Sequence, residues 1–243
     1  MGLFSKKKQY FTVRCSGFTR GTLDDREATV VEKVKEFKYD KKIDYLIIPC
    51  EGFVPVILYK TNLDTNYLVL DSSLPSDCFN GEGYLANTVL KHHWGKEPDE
   101  AYTFAIFYCR KGEIRLRMGT PGVQDPAGSG ATFRGFGSYN IKINDASFFV
   151  DELCVLNRTV KGAEIQDKWQ PTITNIINEA IAYVFADCPK YTEALCARNI
   201  QIEYKIKDLL VEYMAQKYPK DSTTPFNTVD VLSVSFSGEL SKN

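Results

Sequence analysis

The feature that most constrains this chain is a change of hydrophobic period near residue 145. Before it, apolar side chains recur at every second position. Ile114, Leu116 and Met118 fall on one side of their segment, and Arg115 and Arg117 on the other. Tyr139, Ile141 and Ile143 alternate with Asn140 and Lys142 in the same way. Such alternation sets one face of a strand on a core and the other in water. After Asn144 the period lengthens to that of a helix. Ile173, Ile176, Ile177, Ala180, Ile181, Val184 and Phe185 follow i, i+3, i+4, i+7 spacing. A last alternating run, Leu232, Val234 and Phe236 against Val231, Ser233 and Ser235, returns to strand. A terminal strand left unpaired would be an aggregation edge, so it must join an earlier sheet. The order predicts an α+β fold, with a mainly antiparallel N-terminal sheet followed by a helix–helix–strand subdomain.

Local signals place the boundaries. Phe104 to Cys109 and Glu113 to Met118 flank Arg110-Lys111-Gly112, which predicts a hairpin with a glycine turn. Gly119 to Gly130 has the composition of a loop. Pro171 suits the first turn of the first long helix, and Cys188-Pro189 its end. Asn199 is the expected N-cap of a second helix reaching Lys217, whose buried stripe runs through Ile202, Ile206, Leu209, Leu210 and Tyr213. Asp145 suits the cap of a short helix over 146–153. The organisation expected is an N-terminal segment with a basic cluster (1–20), a strand-rich part (21–145), an α/β part (146–238) and a tail (239–243).

Composition removes several function classes. The chain has 243 residues, 30 Lys and Arg against 31 Asp and Glu, and a formal charge of −1. It is neither a basic nucleic-acid tail nor an acidic disordered chain. The total hides an asymmetry: residues 1–150 hold 20 basic and 18 acidic groups, and residues 151–243 hold 10 and 13. Seven cysteines without a CxxC suggest free thiols in a reducing compartment, so the expected location is cytoplasmic. The only histidines, His92 and His93, are adjacent and expected in a polar loop. A side-by-side pair on extended chain faces opposite ways and chelates poorly. No HExxH, GxSxG or Walker A pattern occurs. No catalytic residue, metal ligand or cofactor is therefore assigned, and the expectation is a non-enzymatic protein. A buried Cys acting with His92 or His93 is kept as a third reading. The most apolar stretch, Tyr45 to Tyr59, contains Pro49, Glu51 and Pro55 and predicts two strands around a turn rather than a membrane span. Leu3 and Phe4 beside Lys6, Lys7 and Lys8 offer at most a peripheral contact to a membrane or partner.

Residues 101–153 carry a more specific pattern. Gly119-Thr120-Pro121 follows the strand pair, and Arg134, Phe136, Gly137, Tyr139, Ile143, Asp145 and Phe148 follow the loop. This arrangement resembles the SPFH (band 7) superfamily of stomatins, prohibitins and flotillins, and within it a soluble, virion core protein-like branch. The order of a long helix, a second helix and a strand reading VDVLSVSF agrees with the same resemblance. It implies a scaffold that self-associates or docks on a larger protein or membrane assembly. The hydrophobic span and long coiled coil of many members have no counterpart in this sequence.

A second reading rests on Arg134-Gly-Phe-Gly-Ser-Tyr, which matches the first four positions of the RNP1 strand but has Ser138 where a base would stack. With Arg110, Lys111, Arg115 and Arg117 nearby in sequence, Arg134 and Phe136 define a candidate face for single-stranded nucleic acid, RNA in particular. The bland alternative is a solvated strand face. The decisive point is whether Phe136 is exposed beside the arginines.

Overall fold

Period-2 segments form strands and period-3.6 segments form helices in the computed structural model, which describes residues 9–16, 27–60, 65–98, 102–125, 128–146, 148, 152, 158–186, 191–219 and 227–242. Among the described residues the fold is α+β with mostly antiparallel sheets. The chain forms two compact units. One comprises Met1–Gly21, Thr29–Lys111 and Ala146–Val160, and the other Thr22–Ala28, Gly112–Asp145 and Lys161–Asn243.

The first unit holds β1 (Gln9–Val13), β2 (Thr29–Lys38), β3 (Ile43–Ile47), β4 (Phe53–Lys60), β5 (Thr65–Val69), β6 (Tyr84–Leu85), α1 (Ala86–Trp94) and β7 (Thr103–Arg110). The segment predicted as two strands around a turn is β3 and β4. Strands β2, β7, β4 and β5 are neighbours in one antiparallel sheet. A smaller sheet has the order β1-β3-β6, with β1 parallel to β3. Phe37, Ile57, Tyr59, Phe104, Ile106 and Tyr108 form its core with Val89 and Leu90 of α1. The Tyr108 hydroxyl donates to the Val13 and Ile48 carbonyls at 3.1 and 2.8 Å.

The predicted hairpin across Arg110-Lys111-Gly112 does not form. Strand β7 is central: β2 occupies one of its edges and β4 the other. Phe104 to Cys109 are buried without alternation, as a strand covered on both faces requires. No edge remains for the next strand. Gly112, with φ +113°, instead starts β8 (Gly112–Gln124) in the second unit.

In that unit β8 pairs with β9 (Ala131–Ile143), and β9 with β11 (Val229–Lys242). Two-residue β10 (Val160–Lys161), where the chain leaves the first unit, precedes α2 (Gly162–Phe185), and α3 (Tyr191–Lys217) follows. Ile114, Leu116, Phe133, Tyr139, Ile141 and Phe236 are buried on the inner sheet face. The two helices pack on this sheet and on each other, burying Trp169, Ile173, Ile177, Ile202, Ile206 and Leu210.

Four local expectations need correction. Gly119-Thr-Pro-Gly122 is not loop; it lies inside β8, where the register slips between Thr120 and Val123, so the tetrad makes a β-bulge. Pro171 does not start its helix but sits inside α2. An interior proline costs about 3 kcal/mol. Burial of Ile165 and Trp169, two turns and one turn before Ile173 on the same face, offsets it. Asn199 is not an N-cap either, since α3 begins at Tyr191. The histidine pair is helical, at the end of α1, rather than in a loop.

Two glycines of the RGFGSY strand serve packing. An added Cβ at Gly135 would lie 2.0 Å from the Phe236 ring. One at Gly137 would lie 1.9 Å from the Ser235 carbonyl oxygen. No described helix is long and apolar enough to cross a membrane. Leu3, Phe4, Lys6, Lys7 and Lys8 lie outside the described residues, as does most of the short helix expected over 146–153.

Candidate functional site

The pleat of β8 and β9 decides which sequence-predicted residues meet. Arg115 lies opposite Asn140, Arg117 opposite Ser138, and Gly119 opposite Phe136. Directly opposed residues share a face, and so do residues two apart on one strand. Arg115, Arg117, Arg134 and Phe136 therefore stand on one face, and all four are exposed. Phe136 is 59 % exposed, which is high for a phenylalanine in a sheet. The Arg115 Nε donates to the Ser138 hydroxyl at 3.1 Å, which fixes its direction along the sheet. Glu113 and Lys142 are opposed on this face, as are Arg134 and Glu239. Asp230 of β11 also lies opposite Lys142, so four cations stand against three carboxylates. Tyr139, the other aromatic of the strand, is fully buried on the opposite face. Arg110 and Lys111 do not belong to this face; Arg110 ends β7 and Lys111 follows it, both in the first unit.

The edges of the same sheet are partly occupied by helix side chains. Gln166 of α2 accepts from the Arg117 amide at 3.4 Å, and Gln170 donates to the Gly119 carbonyl at 3.5 Å. On β11, Glu203 accepts from the Phe236 amide at 2.9 Å. Asn199 accepts from the Gly238 amide and donates to its carbonyl. These polar clamps satisfy backbone groups that an edge strand would offer a partner.

Helix α3 shows a surface that sequence reasoning missed. Ile202, Ile206 and Leu210 are buried as expected. Ile200, Tyr204 and Val211 are exposed, at 67, 65 and 42 %. With half-buried Lys207 they follow a 4-3-4 spacing, the a/d spacing of a coiled-coil seam. The signal is present in the sequence. It is masked by the Ile200, Ile202, Tyr204, Ile206 alternation, which looks like a strand and joins residues of two different helix faces.

The histidines lie elsewhere, in the first unit. His93 Nε2 bonds the Tyr59 hydroxyl at 2.7 Å, and its ring stands edge-on to Tyr59 and Trp94. His92 Nε2 lies 2.7 Å from Asp77 Oδ2. That bond from His92 holds the Asp77 carboxyl below its usual pKa. Cys78, fully buried in a 3-10 turn (Ser76–Cys78), has its thiol pKa raised by burial and then by the Asp77 charge. A buried thiol with a raised pKa is a poor nucleophile. A cavity of about 580 Å³ opens beside these groups and is lined by Tyr39, Lys41, Asp77, Asn87, Lys91 and His92, among others. Tyr39 donates to Glu97 at its rim, and Lys91 pairs with Glu97 at 3.3 Å. The Tyr39 pKa is raised, first by burial and then by this bond.

No family model, no curated protein and no solved structure matches this chain.

Proposed function

We propose that this protein is a non-enzymatic assembly module that self-associates through the outer face of α3. The observation that carries this reading is the exposed seam of Ile200, Tyr204, Lys207 and Val211. Contiguous exposed apolar residues on a helix mark an interaction surface. The 4-3-4 spacing is palindromic. A two-fold axis that sets Ile200 on Val211 of a second copy also sets Tyr204 on Lys207. Each contact then occurs twice, as an isologous interface requires. The Tyr–Lys pairs suit cation–π contact, which exposed sites value at about 0.5–1 kcal/mol. The resemblance to the SPFH superfamily supports the same reading. So do the edge clamps, which leave helix surface rather than sheet edge for docking. The free thiols of Cys15, Cys50, Cys78 and Cys109 fit a reducing, cytoplasmic setting. Light scattering on the eluting full chain tests the proposal: the wild type runs as a dimer or larger, and Tyr204→Lys shifts it to monomer. A wild type that stays monomeric at high concentration overturns it.

A second reading, single-stranded RNA binding, is favoured by the exposed Phe136 among Arg115, Arg117 and Arg134. Base stacking on one aromatic contributes about 1–3 kcal/mol. Phe136→Ala then weakens binding of a labelled single-stranded RNA at every salt concentration. Arg117→Ala lowers the salt slope by about 0.7. No polarisation change at low salt removes this reading.

A further inference from the structure

We infer that Asp77, Cys78 and His92 form a binding site for a zinc-class divalent cation in the first unit. The thiol of Cys78, a carboxylate oxygen of Asp77 and a ring nitrogen of His92 lie within 4.8 Å of one another. Around a tetrahedral zinc ion, sulfur, nitrogen and oxygen ligand atoms stand roughly 3.3–3.7 Å apart. The observed trio needs only side-chain adjustment to reach that geometry. The donor set is mixed sulfur, nitrogen and oxygen, which suits a borderline-soft metal and not calcium or magnesium.

Three further observations support the site. The Cys78 thiol is fully buried and has no hydrogen-bond partner among the described residues, so a metal would displace nothing from it. A thiolate and a carboxylate together neutralise a divalent charge, which matters where Lys41 and Lys91 face the same cavity. Glu97 already holds Lys91. The ligands also come from rigid elements: Asp77 and Cys78 from the 3-10 turn, and His92 from the last turn of α1, which packs on it. Three protein ligands leave a fourth position, and Asp77 and His92 both line the 580 Å³ cavity that would open onto it. Binding removes the thiol proton to bulk water and replaces the Asp77–His92 hydrogen bond by two metal bonds.

The experiment is a cobalt(II) titration of the full-length, tag-free, reduced chain, read by absorption. One equivalent of cobalt is expected to produce a thiolate-to-cobalt charge-transfer band, which zinc then abolishes by displacement. Cys78→Ser removes the band. Cys78 is buried, so that variant can fail to fold for packing reasons; His92→Gln and Asp77→Asn change exposed side chains and keep the test open. Each weakens cobalt binding at least about tenfold, as loss of a ligand or its support does elsewhere. Absence of a charge-transfer band at millimolar cobalt overturns the site. A band with unchanged affinity in His92→Gln and Asp77→Asn overturns it equally, by assigning the metal to other cysteines.

Discussion

Two tyrosines show how burial of one side-chain type leads to opposite outcomes. Tyr108 is buried and donates to two backbone carbonyls, whereas the buried Tyr139 hydroxyl has no hydrogen-bond partner among the described residues. Tyr108→Phe is expected to cost about 1 kcal/mol in urea unfolding, and Tyr139→Phe to be neutral or stabilising by up to about 1 kcal/mol. Equal losses in the two variants would contradict this assignment. Burial also raises both phenol pKa values above their ordinary 10. A raised acid is protonated when folded and ionises first when unfolded. Its contribution is complete below pH 10 and is lost as pH climbs towards the folded value. The double Phe variant should therefore lose less stability than wild type at alkaline pH. At this scale the sequence was legible only in part. Arg115, Arg117, Arg134 and Phe136 could be placed on one face by counting in twos. Asp77, Cys78 and His92 could not be joined, because no ligand spacing links a turn to a helix fourteen residues later.

At the scale of elements, periodicity identified the strands and helices but not their partners. Ile114, Leu116 and Met118 alternate in the sequence and line one buried face of β8. The hairpin failed because pairing depends on which edges are free, and both edges of β7 are occupied by strands distant in sequence. Pro171 misled because a local penalty was read without the burial of Trp169 that outweighs it. The glycines of RGFGSY allow close approach between β9 and β11. Gly137→Ala would press a methyl group against the Ser235 carbonyl, for which no flexible side chain can yield. A loss of about 3 kcal/mol, or failure to fold, is expected by thermal unfolding. A variant within 0.5 kcal/mol of wild type, as an ordinary surface change would be, would contradict the tight β9–β11 contact.

For the whole molecule, the sequence predicted the α+β class but not how the chain distributes itself. Each unit is assembled from non-contiguous segments, and the chain passes from one to the other at Gly112 without a composition shift to announce it. The net charge of −1 likewise averages over surfaces of different character: a sheet face with four cations and three carboxylates, and a helix seam that is mostly apolar. A helix that buries Ile202, Ile206 and Leu210 on one side and leaves Ile200, Tyr204 and Val211 in water on another has two apolar faces and a described partner for one. The most direct test pairs two variants, Ile200→Cys and Val211→Cys, mixed under mild oxidation and mapped by peptide mass spectrometry. The two-fold arrangement predicts an inter-copy disulfide between positions 200 and 211 in the mixture and not in either variant alone. A mixture that yields no 200–211 link, with the chain remaining at its 27.5 kDa monomer mass, would contradict self-association through α3.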